Sequence, residues 1–102
     1  MAIQIGRWSF DGLFRSPESL EDRSGVYVIL DVTPNTTVVL DCGESATVKS
    51  RVQMHDRADC WRRNARGDVM HSVLYTPGLQ ANGRREIEQV IRRQFNPPCG
   101  DR

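Results

Sequence analysis

The chain has 102 residues, 38% of them hydrophobic, and its formal net charge at pH 7 is only +1. This length suits one small domain with a modest core, and no apolar run approaches the length of a membrane-spanning helix. Residues Met1-Ala2-Ile3-Gln4 lack the basic and then apolar pattern of a signal peptide. We therefore expect a single domain over residues 1–102, located in the cytoplasm and without a membrane partner.

The chain contains three cysteines, Cys42, Cys60 and Cys99. Their number is odd and their spacing irregular, which fits neither a disulfide framework nor a repeated metal-ligand motif. We therefore expect reduced thiols.

Charge is distributed unevenly along the chain. From Lys49 to the end there are eleven Lys and Arg against six Asp and Glu, a net +5, whereas residues 1–48 have three against seven, a net −4. All but one of the basic residues are Arg, which can bind phosphate with two parallel hydrogen bonds. The basic second half suits a nucleic-acid partner, although a solvated surface of mixed charge fits the composition about equally well.

Residues 1–23 carry aromatic and aliphatic side chains among polar ones, namely Trp8, Phe10, Leu13 and Phe14. We interpret them as an aromatic flap that covers one face of a sheet. The pair Ser16-Pro17 predicts a short capped helix with proline at its first position. Trp8 could instead stack on a nucleic-acid base, but buried aromatic side chains are the commoner use.

Two runs rich in Val and Ile follow, at residues 25–31 and 37–43, and they predict adjacent antiparallel strands. If the loop between them is residues 32–36, opposite positions have a constant index sum, and Tyr27 faces Asp41. Gly43 ends the second strand. A helix is then predicted to begin at Thr47 and to continue through Trp61.

That helix places Arg51 and His55 one turn apart on the same face. It ends in a dense basic stretch that contains Arg62, Arg63 and Arg66. These three arginines could form a phosphate-contacting rim, or they could be a solvated helix end that complements the helix dipole; we weigh the two about evenly.

Residues 68–76 predict a third strand, and residues 83–95 predict a final helix with a stripe of apolar residues. Glu88 lies at the border of that stripe, where it could point toward a metal or form an i,i+4 ion pair with Arg84 or Arg92. The fold we expect is α/β of the α+β type: a small central three-stranded antiparallel sheet flanked by helices over residues 24–100, with the flap packed on it.

These residues resemble the GIY-YIG nuclease family. Gly25-Val26-Tyr27 stands where the family has Gly-Ile-Tyr, and Asp41-Cys42-Gly43 stands where it has Tyr-Ile-Gly. Arg51, His55 and Glu88 occur in the family's order and at family-like spacing. The sequence departs from the pattern at Asp41, which replaces a tyrosine, and at Gly100, which stands where an asparagine is expected.

The resemblance implies a GIY-YIG-like fold and a metal-dependent endonuclease that hydrolyses phosphodiester bonds. In such an enzyme Tyr27 would activate the attacking water, Arg51 would hold the scissile phosphate and His55 would assist. Glu88 would bind Mg2+ or Mn2+, for which one or two protein carboxylates are enough. Asp41 could be a second metal ligand, or could itself be the base.

The resemblance also implies a nucleic-acid partner, DNA more readily than RNA, and either a homodimer or a separate targeting partner. Two other functions remain open on the sequence alone. One is a catalytically silent relative that binds nucleic acid through its Arg-rich face, and the other is a partner-binding domain that retains only the fold.

Overall fold

The computed structural model describes residues 2–100 and contains one five-stranded antiparallel sheet with helices on both faces. The strand order across the sheet is β1-β2-β5-β3-β4. The elements in chain order are β1 (Ala2–Ile5), β2 (Trp8–Phe14), a 3-10 turn (Pro17–Ser19), β3 (Gly25–Val32), β4 (Thr37–Ser45), α1 (Val48–Gln53), α2 (Ala58–Asn64), β5 (Asp68–Tyr75) and α3 (Ala81–Phe95). None of the helices in this part of the chain is both long and apolar enough to cross a membrane.

The α+β class is confirmed, but the expected number of three strands is wrong. The three expected strands are present as β3, β4 and β5, and the predicted final helix is present as α3. The short helix after Ser16 is also confirmed, with the Ser16 hydroxyl accepting a hydrogen bond from the backbone N–H of Glu18. The sheet is wider because two further strands precede this core.

The amino-terminal residues form a hairpin within the sheet, so the interpretation of a separate aromatic flap is wrong. Ile3 lies opposite Phe10 and Ile5 lies opposite Trp8, with Gly6 at a positive φ of 60° in the turn between them. Side chains alternate between the two faces of a strand, which places Ile5 and Phe10 in the core. β2 then pairs with β5 and extends the sheet.

The central strand β3 is buried on both faces of the sheet, and its side chains divide the core in two. Tyr27 and Ile29 pack on the side of α1 and α2, together with Leu40, Val52 and Trp61. The alternate residues of β3 pack on the opposite side, against Ile91 of α3, and are Val26, Val28 and Leu30. Helices on both faces explain why β3 is almost continuously apolar.

The predicted register between β3 and β4 is wrong. Tyr27 lies opposite Gly43, and Asp41 lies opposite Ile29. The pairing differs by two positions for two reasons. Val32 is the residue opposite Thr37, so the loop is one residue shorter than expected, and Leu40 is an extra residue on β4, a β-bulge. Asp41 therefore does not face Tyr27 directly across the strands.

The single helix expected from Thr47 through Trp61 is interrupted. α1 ends at Gln53 and α2 begins at Ala58, which leaves His55 in the connection. There the backbone N–H of Arg57 donates to Nδ1 of His55 at 3.1 Å. A side chain that binds a nearby backbone N–H offers the chain an alternative to the helical hydrogen bond, which is consistent with the break.

After α3 the chain turns at Asn96, at a φ of 45°, and returns along the edge strand β4. We call residues 96–100 the carboxy-terminal tail. The N–H of Cys99 donates to the carbonyl oxygen of Leu40 at 3.0 Å. The tail thus covers part of a sheet edge that would otherwise expose unpaired backbone groups.

The expectation of reduced thiols is wrong for two of the three cysteines. Cys60 of α2 and Cys99 of the tail form a disulfide, and Cys42 is free and buried. The two paired residues are 39 positions apart in the sequence, and the fold brings their Cα atoms to 5.9 Å. The disulfide therefore attaches the tail to α2.

Candidate active site

Tyr27 and His55 form a buried hydrogen-bonded pair at the centre of the candidate site. The Tyr27 hydroxyl oxygen lies 2.6 Å from Nε2 of His55. Tyr27 reaches this position because its ring lies across Gly43 on the neighbouring strand, where a glycine leaves space for the ring. The glycine that ends the second family-like tripeptide thus has a packing role.

Replacing Gly43 by alanine is expected to displace the Tyr27 ring. A Cβ at residue 43 would overlap Oη and Cζ of Tyr27, and overpacking of a buried site typically costs about 1 to 3 kcal/mol. Urea unfolding should show that the free energy of unfolding falls by about that amount. Gly78→Ala is the matched control, because no heavy atom lies within 4 Å of its new Cβ. Equal stability of the two variants would contradict the close packing of Tyr27 on Gly43.

The hydrogen bonds of His55 fix which ring nitrogen carries the proton. Burial, with the positive charges of Arg57 and Arg51, lowers the pKa of His55 to about 4, so the ring is neutral at pH 7. Its Nδ1 accepts from the Arg57 N–H, so the proton of the neutral ring is on Nε2. Nε2–H therefore donates to the Tyr27 oxygen, and the Tyr27 O–H proton points elsewhere.

Two guanidinium groups act electrostatically on this pair. Burial raises the pKa of the Tyr27 hydroxyl above its ordinary value, and the charges of Arg51 and Arg57 oppose that rise. Arg51 has a side chain that is 38% exposed and an ion pair with Asp56 at 3.6 Å. Arg51 and Arg57 together make the surroundings of Tyr27 attractive to an anion.

Asp41 lies at the centre of a hydrogen-bond network at the edge of the sheet. Its carboxylate is fully buried, and it accepts from Arg57 Nε and Nη2 at 2.8 and 3.2 Å, and from Arg92 Nη2 at 2.9 Å. The indole N–H of Trp61 donates at 2.7 Å, and the backbone N–H of Cys42 at 2.8 Å. These five contacts occupy both oxygens, so the geometry favours an anchoring role over metal binding or proton transfer.

Glu88 is the carboxylate that the resemblance assigns to metal binding. Its side chain is 18% exposed, and its negative charge acts on Tyr27. It also forms the i,i+4 ion pair with Arg92, at 3.1 Å from Nε. Within residues 2–100 no group of three or more His, Cys, Asp and Glu side chains could hold a metal ion. The donors present fit Mg2+ or Mn2+ through one carboxylate, with water and substrate oxygens as the other ligands.

Three arginines predicted to contact nucleic acid lie at the end of α2 and just after it. Arg62, Arg63 and Arg66 are all exposed, and Arg62 is paired with Asp59. The N–H of Arg66 donates to the carboxylate of Asp31 at 3.0 Å, which fixes the chain after the helix. Their guanidinium groups are thus presented to solvent, as either sequence interpretation requires.

The sequence alone did not point to Arg57 or Arg92 as site residues. Arg57 links Asp41 to His55, and Arg92 also donates to the carbonyl oxygens of Cys42 and Cys99. Arg57 and Trp61 are four residues apart, and this i,i+4 spacing was the only local signal that they share a partner. For Arg92 the sequence offered only the i,i+4 spacing to Glu88, because its other partners lie on β4 and in the tail.

Gly100 has a structural reason to be a glycine. It adopts a positive φ of 96°, and a Cβ there would overlap Nη2 of Arg92 and lie 2.8 Å from Oδ1 of Asp41. The Arg92 and Asp41 pair thus fills the space next to residue 100. An asparagine would not fit at this position in the present arrangement.

Comparison with known proteins gives no match. No protein-family model matches the chain, and neither a curated protein nor a solved structure is significantly similar to it.

Proposed function

We propose that the protein is a GIY-YIG-type nuclease that hydrolyses phosphodiester bonds in nucleic acid with a divalent cation. The observation that carries the proposal is the Tyr27 and His55 hydrogen bond beside two guanidinium groups and the partly exposed carboxylate of Glu88. Hydrolysis of a phosphodiester requires charge neutralisation at the nonbridging oxygens and a proton for the leaving oxygen. The chain has a residue suited to each task.

Arg51 is the residue assigned to the scissile phosphate. It is the most exposed of the groups that act on Tyr27, and its ion pair with Asp56 is long at 3.6 Å, so a phosphate can replace that partner. Arg57 is paired with Asp41, and its positive charge acts on Tyr27. DNA is the preferred substrate over RNA on the strength of the resemblance alone.

Tyr27 is assigned as the proton donor, which differs from the water-activating role that the resemblance implies. Its oxygen already accepts from His55 Nε2–H, and its raised pKa keeps the hydroxyl protonated at neutral pH, so that little phenolate is present to act as a base. As the bond from phosphorus to the leaving oxygen breaks, the Tyr27 proton moves to that oxygen. The attacking water forms the new bond to phosphorus, and its proton then restores the phenol.

Glu88 is the residue that would hold Mg2+ or Mn2+. A bound divalent cation polarises a phosphoryl oxygen and orients water near it. Within the protein, the Glu88 carboxylate is paired with Arg92 Nε at 3.1 Å. A cation would share or replace that contact.

The proposal predicts cleavage of at least one of three substrates, supercoiled plasmid, single-stranded DNA or structured RNA, in Mg2+ or Mn2+. We expect Tyr27→Phe, Arg51→Ala and Glu88→Gln each to lower the rate by about 100-fold or more. Glu86→Gln and Arg85→Ala are matched controls on the exposed surface of α3 and should keep the native rate.

Two outcomes would overturn the proposal. The first is that folded native protein cleaves none of the substrates, and the second is that the control variants lose as much activity as the site variants. A silent nucleic-acid-binding domain is the second candidate, supported by the Arg92 contact that already neutralises Glu88. Salt-dependent binding without cleavage, reduced by substitution of Arg62, Arg63 and Arg66, would favour it.

A further inference from the structure

A cavity lies on the α1 and α2 side of the sheet, next to the Tyr27 and His55 pair but distinct from it. Its volume is about 330 Å³, and its lining includes Val52, Trp61, Val69 and His71 with Arg15 and Arg62. The Trp61 ring lies between the cavity and the Tyr27 and His55 pair. Its centroid is 4.8 Å from that of the His55 ring and 6.3 Å from that of the His71 ring. The cavity is thus one aromatic side chain away from the proposed reaction centre.

His71 presents an unused hydrogen-bond acceptor to this cavity. Its side chain is buried, with the residue only 7% exposed, and Nδ1–H donates to the carbonyl oxygen of Phe14 at 3.1 Å. Nε2 makes no hydrogen bond with any atom of residues 2–100. No fully enclosed side-chain nitrogen or oxygen in that part of the chain lacks a partner, so the free Nε2 is accessible from the cavity.

The lone pair on Nε2 selects a ligand that donates a hydrogen bond. With Nδ1 carrying the proton, Nε2 of the neutral ring can only accept. Val52, Val69 and the edge of Trp61 give the cavity apolar walls, which suit a flat ring. A planar heterocycle with an N–H group satisfies both requirements.

The rim of the cavity is suited to an anion. Arg15 and Arg62 have side chains that are 75% and 67% exposed, and their present partners are the exposed carboxylates of Asp68 and Asp59. Exposed ion pairs contribute little free energy, so both guanidinium groups can turn to a phosphate. The volume is at the lower end of the range for ligand pockets and is suited to one nucleotide rather than to a base pair.

We propose that this cavity binds a single nucleotide, with the base donating an N–H to His71 Nε2 and the phosphate held by Arg15 and Arg62. The nucleotide is either free or one unit of a strand whose neighbouring phosphate lies at Arg51. Only the second source rests on the proposed nuclease function. If the nucleotide belongs to a strand, it would be flipped out of the strand and its base recognised in this cavity, as in enzymes that flip a base out of its stack.

The test is binding measured in the Glu88→Gln variant, so that no strand is cut. Adenosine, cytidine, guanosine and uridine monophosphates are titrated, with the four nucleosides and inorganic phosphate as reference probes, and the His71 ring nitrogen signals are followed by NMR. We expect at least one monophosphate to bind tenfold or more tightly than both its nucleoside and inorganic phosphate, and to shift the His71 Nε2 signal. Equal binding of inorganic phosphate, or an unchanged Nε2 signal, would overturn the proposal.

Two substitutions separate the contacts. His71→Phe keeps a flat ring but removes the Nε2 acceptor, together with the Nδ1–H bond to the Phe14 carbonyl, and we expect a tenfold or greater loss of nucleotide affinity. Arg15→Ala alters an exposed side chain, so the fold should be preserved. It should lower the affinity for the monophosphate and leave the affinity for the nucleoside unchanged. Arg85→Ala, the control, should change neither affinity. A nucleotide affinity unaffected by Arg15→Ala would contradict the phosphate assignment.

Short oligonucleotides distinguish the two sources of the nucleotide. A tetranucleotide that binds more tightly than its component monophosphate, and loses that advantage when one internal base is absent, identifies a unit of a strand. A tetranucleotide that binds more weakly than the monophosphate identifies a free nucleotide. Absence of binding by every monophosphate and oligonucleotide overturns the site, whatever the result of the cleavage assay.

Discussion

Replacing Asp41 by asparagine is expected to lower the free energy of unfolding by about 3 to 5 kcal/mol, the range for removal of one partner from a buried ion pair. The carboxylate is fully buried and accepts from two guanidinium groups, one indole and one backbone N–H. Asparagine keeps the shape of the side chain but has only one acceptor oxygen. Its NH2 group would face hydrogen-bond donors that now bind the second carboxylate oxygen. Arg57 would then lose the carboxylate that it is bonded to, and Arg92 would keep only Glu88 as its countercharge.

The measurement is urea unfolding followed by circular dichroism at pH 7. Asp68→Asn is the matched control, because its carboxylate is 60% exposed and its one ion pair among residues 2–100 is with Arg15 at 3.4 Å. It should change stability by less than about 1 kcal/mol. A loss for Asp41→Asn as small as that of the control would contradict the anchoring role.

The same variant also bears on the chemistry. Arg57 is fixed by Asp41 through its side chain and holds Nδ1 of His55 through its backbone N–H. If Asp41 is an anchor, its loss should weaken catalysis and stability together. If it were the base, activity would fall while stability stayed near the native value.

Much of the fold could be predicted because local patterns determine it. The apolar runs of β3 and β4 and the periodic stripe of α3 are long enough to identify the elements without tertiary information. β1 and β2 were missed because four and seven residues carry little periodic signal, and Trp8 and Phe10 were read as a covering segment. The alternation of Ile3 with Ile5 was the available sign of a strand.

The register error has a different cause. An extra residue such as Leu40 leaves the apolar character of β4 unchanged, so nothing in the local sequence reveals the bulge. The consequence is large because one inserted residue changes every opposite pair beyond it. Together with a loop one residue shorter than expected, it moved the partner of Tyr27 from Asp41 to Gly43.

The candidate site was predicted in part. The pairing of Tyr27 with His55 follows from residues that the resemblance selected, although their contact was not itself predicted. The Asp41 network was not predictable, because its partners Arg57, Trp61 and Arg92 are 16, 20 and 51 residues away in the sequence. Only the tertiary fold brings residues of α2 and α3 to one carboxylate on β4.

Reduction of the Cys60 and Cys99 disulfide is expected to lower the free energy of unfolding by about 4 kcal/mol, the chain-entropy value for a loop of this length. The tail should open more readily than the rest of the protein, because two of its hydrogen bonds are made by Cys99 itself. The Cys99 N–H donates to the Leu40 carbonyl, and the Cys99 carbonyl accepts from Arg92. Hydrogen exchange should therefore increase first in residues 96–100 and along β4.

The measurement compares urea unfolding of the native protein with and without dithiothreitol, and of the Cys60→Ala/Cys99→Ala double variant under both conditions. The reductant should destabilise the native protein and leave the double variant unchanged, since the remaining thiol, Cys42, is buried and unpaired in residues 2–100. Equal stability of oxidised and reduced native protein would contradict a structural role for the disulfide. A large loss would instead make folding dependent on an oxidising environment, which bears directly on the cytoplasmic location that the sequence favoured.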